Sequence, residues 1–241
     1  MALYKHIPNT ITSMNLLAGI MGVIFTLEGR LEWALPLMVL AAVFDFCDGL
    51  AARLLGAYSP IGGELDSLAD LVSFGVLPSL MLYKVIPADA PAILRYIPLF
   101  VAVMSAVRLA KFNVDDRQTL DFLGLPTPSC AMVCGSLATF LYVAGGIPAG
   151  AEVWILDAIA IVLGLLLVSE IPMFGMKIKK GHKLLDTKRI AFLILAVASV
   201  LAVVLLKQPW SLAVLAVFSV YIIENLVVAL INANFAKRSE E

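Results

Sequence analysis

Charge is the scarcest ingredient of this 241-residue chain. Asp, Glu, Lys and Arg together make up 15% of it, where soluble domains carry about 25%. Too few charged side chains are present to solvate the surface of an ordinary water-soluble fold. Cysteine is nearly absent as well: Cys47, Cys130 and Cys134 all sit in apolar runs. Cys130 and Cys134 share a helical face, but no disulfide framework and no zinc-ligand spacing is formed, so both read as small apolar residues. The two histidines, His6 and His182, form no recognisable catalytic or metal-ligand motif and receive no catalytic role. No small-residue cleavage site follows the first apolar run, so the expectation is a retained first helix, not a removable signal peptide. Internal repeats and any segment that reads as a separate soluble domain are also missing.

What the chain has is apolar surface. Hydrophobic residues make up 61% of it and the mean hydropathy is +0.98. A bilayer core asks for about 20 mainly apolar residues per helix. Eight stretches qualify: residues 8–27, 32–55, 65–86, 92–112, 127–145, 153–173, 189–206 and 210–231. The fold class expected is therefore an all-α integral membrane protein, a polytopic bundle of about eight transmembrane helices forming one membrane domain over residues 1–241. Short turns at 28–31, 87–91, 145–151 and 207–209 lie on one side, and the longer connections 56–64, 113–126 and 174–188 on the other.

Basic residues orient such a bundle, because cytoplasmic loops carry the excess of Lys and Arg. With both termini inside, the cytoplasmic side holds Lys5, Arg53, Arg108, Lys111, Arg117, Lys177, Lys179, Lys180, Lys183, Lys188, Arg189, Lys237 and Arg238. The far side holds only Arg30, Lys84, Arg95 and Lys207. Thirteen against four assigns both termini to the cytoplasm. The run Lys177–Arg189 supplies six of these charges, enough to set topology and attract anionic headgroups at about 1 kcal/mol per charge.

Against this background four aspartates stand out. Asp45 and Asp48 interrupt the second span, Asp66 and Asp70 the third. Each carries a penalty of roughly 2.5–3.5 kcal/mol at a helix centre. Arg53 is the one basic residue close by in sequence, so three carboxylates stay uncompensated unless a cation joins them. Spacings of three and four put each pair on one helix face. Counted from the shared cytoplasmic end at about 1.5 Å per residue, Asp45 and Asp70 both lie roughly 12 Å deep, and Asp48 and Asp66 both at about 6–8 Å. Four oxygen ligands are thus expected to converge on one pocket open to the cytoplasm. An oxygen-only set favours Mg²⁺ or Mn²⁺, with Ca²⁺ also compatible, and Mg²⁺ is commonly shared with substrate phosphates.

Read together, Asp45-x2-Asp48-Gly49-x2-Ala52-Arg53-x8-Gly62-x3-Asp66-x3-Asp70 resembles the signature of the CDP-alcohol phosphatidyltransferase family at every fixed position. The resemblance implies that Asp45, Asp48 and Asp66 bind metal, and that Asp70 is a further ligand and the general base. Gly49, Ala52 and Gly62 lack the bulk that would keep a nucleotide diphosphate from the helix backbones, and Arg53 offers a planar fork of donors. Tight helix packing is the other use of such small residues. Upstream, Pro8-Asn9-Thr10-Ile11-Thr12 is similar to the family's first helix, which implies that Asn9 and Thr12 face the nucleotide.

The runs Ser67–Pro78, Arg108–Asn113 and Phe122–Pro128 resemble the phosphatidylserine synthase branch, with Lys111 where that branch usually has arginine. This implies CDP-diacylglycerol and serine as substrates, with Arg108, Lys111 and Asn113 as contacts for serine or a lipid phosphate. Positive-inside charge alone would also place the two basic residues there. It further implies a homodimer in the cytoplasmic (inner) membrane with the active site facing the cytoplasm; nucleic acid is not an expected partner. Residues 1–145 carry the motifs, and the helices over 153–231 have none. Other acceptors of the family (glycerol 3-phosphate, inositol phosphate, ethanolamine) stay open. A membrane prenyltransferase would lack the Gly49, Ala52–Arg53 and Gly62 framework. A Mg²⁺ transporter would need polar residues reaching the far face, where these two spans offer mainly Leu, Val, Ala, Met and Pro.

Overall fold

The structure, a computed structural model, describes residues 6–115, 122–146, 150–173 and 187–238. It is built from helices: α1 (Ile7–Leu27), α2 (Leu31–Leu55), α3 (Pro60–Val85), α4 (Ala92–Val114), α5 (Thr127–Val143), α6 (Ala151–Val168), α7 (Thr187–Leu205) and α8 (Trp210–Arg238). The one extended feature among the described residues is an antiparallel pairing of β1 (Phe122–Leu123) with β2 (Pro172–Met173). Five helices are long and apolar enough to cross a bilayer: α1, α2, α3, α4 and residues Trp210–Asn232 of α8. The apolar segments Thr127–Val143 and Arg189–Leu205 are shorter. At 1.5 Å per residue, 17 residues reach only about 25 Å, against a hydrocarbon core of about 30 Å.

Several expected boundaries move. The third span begins at Pro60 and not at residue 65, because Ser59 caps the helix by accepting the Gly62 N–H at 3.1 Å and Pro60 occupies the first turn, where its missing N–H is harmless. The sixth span ends at Val168, and the chain then turns extended to form β2. Much of the charge asymmetry rests on Lys5, Arg117, Lys177, Lys179, Lys180 and Lys183, which, with His182, lie outside the described residues.

The centre of the bundle is where α2, α3 and α5 meet. Met38, Phe74, Leu77, Met81, Cys130 and Cys134 are fully buried there. Small residues set how closely the helices approach. A Cβ on Gly135 would sit 2.4 Å from Met38 Cε, and one on Gly19 would sit 2.2 Å from Ser73 Oγ and 3.0 Å from Ser73 Cα. The second contact seats α1 directly on α3. Outer faces carry Met14, Leu17, Ile20, Ile24 and Leu54 in the open, as expected of a surface that meets acyl chains.

Within α3, residues Leu71–Val76 form a π-helical turn, with the Leu77 N–H reaching back to Val72 O. Pro78 lacks the N–H that an α-helix would direct at Phe74 O, and the ladder widens one turn before it. Such wide turns concentrate at functional positions. This one begins immediately after Asp70.

Candidate active site

The first three helices build the site. The face of α1 that carries Pro8, Thr12, Asn15, Gly19 and Gly22 is buried against α2 and α3. One carboxylate oxygen from each of Asp45, Asp48 and Asp66 lies within 4.8 Å of the others. At that separation two full negative charges repel by about 3–4 kcal/mol with an effective dielectric near 20. None of the four motif aspartates forms an ion pair among the described residues. Asp66 Oδ1 is buried without a hydrogen-bond partner. Close carboxylates, an orphaned oxygen and an all-oxygen donor set together fit a hard divalent cation.

Thr12 ties the first helix to this trio. Its Oγ1 lies 2.6 Å from Asp48 Oδ2 and 3.0 Å from Pro8 O, so its single proton serves either acceptor. Asp70 is not one of the three whose oxygens all lie within 4.8 Å of one another, but it is within electrostatic reach of Asp45, Asp66 and Asp48. It is buried, and its Oδ1 accepts from Asn15 Nδ2 at 3.1 Å. The Asn15 carbonyl in turn accepts from Ser73 Oγ at 3.2 Å, across the contact that Gly19 permits. Asp70 is therefore oriented by α1, and Ser73 of its own helix fixes the Asn15 backbone. Asn15 was not singled out from the sequence, although it continues the Asn9–Thr12 face by one more turn (i, i+3, i+6).

Beside the trio opens a cleft of about 230 Å³. Asn9, Thr12, Asp48, Gly49, Ala52, Gly62 and Asp66 all line it, together with Tyr58 and Ser59 from the turn between α2 and α3. The five uncharged nucleotide candidates of the motif and first helix thus share one cavity. A Cβ on Gly62 would come within 2.9 Å of both Asn9 Oδ1 and Ser59 Oγ, so only glycine leaves Asn9 where it is. Arg53 is exposed in the last turn of α2, and its Nη2 lies 3.7 Å from where a Cβ on Gly49 would stand.

The candidates at the end of α4 divide. Arg108 is buried, donates from Nη1 to Thr127 Oγ1 at 2.8 Å, and lies within electrostatic reach of Asp70. Its Cζ sits 5.7 Å from the centroid of the Phe112 ring. Lys111 donates to Val168 O at 3.3 Å, and with Arg108 it lines a small separate crevice bounded by Asp115 and Glu170. Asn113 faces the other way and donates to Ser67 Oγ at 3.0 Å, next to Asp66. Arg108 and Lys111 do not line the main cleft; Arg108 approaches the aspartates from the Asp70 side.

The fold is thus a bundle of apolar, membrane-length helices with a carboxylate trio, fit for a hard divalent cation, beside a cleft of about 230 Å³. Residues 5–170 match the family model for CDP-alcohol phosphatidyltransferase, and the chain belongs to that family. The family is divalent-cation dependent, and this chain holds an acidic cluster of Asp45, Asp48 and Asp66. The chain is 34% identical over 218 residues to the CDP-diacylglycerol–serine O-phosphatidyltransferase of Mycobacterium leprae, covering 86% of this chain and 69% of that one. It is 36% identical over 138 residues to the Bacillus subtilis protein of the same name, covering 57% and 77%. It is also 33% identical over 136 residues to the archaetidylserine synthase of Methanothermobacter thermautotrophicus, covering 54% and 56%.

Proposed function

We propose that this protein transfers the phosphatidyl group of CDP-diacylglycerol to the hydroxyl of L-serine, releasing CMP. The observation that carries the reading is the juxtaposition of the Asp45–Asp48–Asp66 trio with a cleft floored by Gly49, Ala52 and Gly62. Serine as acceptor follows from the names of the relatives in the Mycobacterium, Bacillus and Methanothermobacter proteins.

In this mechanism Asn9 and Thr12 hold the cytidine end, while the small residues let the diphosphate lie against the α2 and α3 backbones. When bound at the trio, Mg²⁺ or Mn²⁺ supplies neutralisation of the diphosphate oxygens and of the departing CMP. Asp70, oriented by Asn15, takes the proton of the serine hydroxyl. The serine oxygen forms a bond to the phosphorus that bears diacylglycerol, and the bond from that phosphorus to the CMP oxygen breaks. Arg108 and Lys111 approach from the acceptor side, and Arg53 meets phosphate at the mouth.

The proposal extends to the setting. Eight spans place both termini and the cleft on the cytoplasmic side of the inner membrane, and the working unit is a homodimer. Cysteine accessibility at the two ends of α1 tests the orientation, and cross-linking in native membranes tests the dimer.

Purified protein given CDP-diacylglycerol and a panel of alcohols provides the decisive assay. CMP release is expected with serine, to be abolished by a chelator and restored by Mg²⁺ or Mn²⁺. Asp70→Asn is expected to stay folded and lose turnover. Preference for glycerol 3-phosphate over serine would overturn the acceptor, and retained turnover in Asp70→Asn would remove Asp70 as base.

A further inference from the structure

The run Phe122–Pro128 stands out in the sequence but does not line the cleft. Its backbone is fastened instead to the end of α6. Phe122 pairs with Met173 and Leu123 with Pro172, the Gly124 N–H donates to Ile171 O at 3.0 Å, and the Leu125 N–H donates to Leu166 O at 2.9 Å. Gly124 has φ +78°, and a Cβ there would lie 2.6 Å from Leu167 O and 2.7 Å from Ser169 O, so only glycine passes. Beyond this strap Thr127 opens α5 between Pro126 and Pro128, whose rings fix φ on either side.

The strap ends on Arg108. Thr127 is fully buried, and its Oγ1 accepts from Arg108 Nη1 at 2.8 Å. Among the described residues this hydroxyl is the one hydrogen-bond partner of the guanidinium, whose Nε is buried with none. Lys111, on the next turn of α4, donates to Val168 O at 3.3 Å, in the same end of α6 that carries the strap. Arg108 and Lys111 are thus held by one assembly.

Across from them runs the stretch of α3 that holds Asp70. Two contacts set the register of these antiparallel helices: Asn113 Nδ2 donates to Ser67 Oγ at 3.0 Å, and a Cβ on Gly75 would lie 3.0 Å from Ser105 Cβ. Residue 67 is level with 113 and residue 75 with 105, which sets Asp70 level with residue 110 and Arg108 about 3 Å deeper along the axis. A buried guanidinium with one anchoring bond and N–H donors to spare suits a carboxylate held at that level.

We infer that Thr127 is a positioning residue for acceptor recognition: carried on the strap from α6, its hydroxyl fixes the plane of Arg108 so that the remaining N–H groups meet the acceptor's carboxylate beside Asp70. This rests on the assignment of Arg108 to the acceptor made above.

Thr127→Val keeps the shape of the side chain and removes the accepting oxygen, while Thr127→Ser keeps the oxygen. With Thr127→Val the KM for serine is expected to rise about tenfold, the loss of one hydrogen bond to a charged group. The kcat and the KM for CDP-diacylglycerol are expected to stay within twofold, and Thr127→Ser to stay within twofold of the parent throughout. If Thr127→Val does not fold, Thr127→Cys is read in its place, because a thiol is only a weak acceptor, with the same direction expected. In an Arg108→Lys background, which lacks the planar fork, Thr127→Val is expected to add less than twofold. A serine KM raised by Arg108→Lys but unmoved by Thr127→Val overturns this inference alone. A serine KM unmoved by Arg108→Lys overturns the acceptor assignment and this inference with it. Equal losses in both substrates, fully additive effects, or a Thr127→Ser enzyme as impaired as Thr127→Val show a merely structural role and also overturn it.

Discussion

Gly62 and Gly63 are neighbours on the same first turn of α3, yet adding one methyl group to each has opposite consequences. A Cβ on Gly63 meets nothing within 4 Å, so Gly63→Ala only adds a better helix former, worth up to about 1 kcal/mol. A Cβ on Gly62 would lie 2.9 Å from Asn9 Oδ1 and 2.9 Å from Ser59 Oγ. Both atoms end flexible side chains, so the fold survives by moving them. Displacing Ser59 weakens the cap on the Gly62 N–H, at about 0.5–2 kcal/mol, which the helix preference of alanine largely offsets. Displacing Asn9 has no such compensation if its amide holds the nucleotide: one misplaced hydrogen bond amounts to about 1–2 kcal/mol of binding, a factor of about 5 to 30. Gly62→Ala is therefore expected to keep a near-native thermal midpoint while kcat/KM for CDP-diacylglycerol falls by that factor. Gly63→Ala, whose methyl group meets no atom, should keep the parental kcat/KM and raise the thermal midpoint slightly. CMP release at varied CDP-diacylglycerol in mixed micelles measures the first quantity, and thermal unfolding in the same detergent the second. A Gly62→Ala enzyme with parental kcat/KM would refute the assignment of Asn9 to the nucleotide.

Two further substitutions probe how α1 supports the aspartates. Thr12→Val removes the hydroxyl 2.6 Å from Asp48, and loss of such an outer partner typically weakens metal affinity or activity 10- to 100-fold; a Mg²⁺ or Mn²⁺ activation curve shifted to higher concentration is expected, and an unshifted curve would show that Asp48 needs no orientation. Gly19→Ala drives a methyl group into Ser73, including its Cα at 3.0 Å, so the helices themselves must separate. A destabilisation of about 1–3 kcal/mol is expected, together with reduced kcat through the Asn15–Asp70 bond; wild-type turnover at a lowered thermal midpoint would uncouple that bond from catalysis.

Periodicity and composition made the membrane character, the helical class and the aspartate pairs legible from the chain itself. Residues three or four apart share a face whatever the surrounding fold, which is why Asp45 with Asp48 and Asp66 with Asp70 could be paired before any coordinates. Spacing along one helix does not, however, state how two helices are shifted or rotated against each other. Matched depths therefore predict that four carboxylates converge but not which oxygens come closest: those of Asp45, Asp48 and Asp66 lie within 4.8 Å of one another, while Asp70, within electrostatic reach of all three, accepts from Asn15. The relative setting of α1 and α3 comes from the Gly19–Ser73 approach and from the wide turn at 71–76, neither of which has a local periodic signal.

The same division runs through the rest of the site. Ser59-Pro60 has the local signal of a helix start, a capping serine before a first-turn proline, inside the stretch 56–64 that reads as a connection. Asn9, Thr12, Gly49, Ala52 and Gly62 carried their motif positions openly, but their meeting in one cleft is a property of the packed bundle. Arg108 showed its charge in the sequence and not its direction, since burial against Thr127 depends on where α5 begins relative to α4.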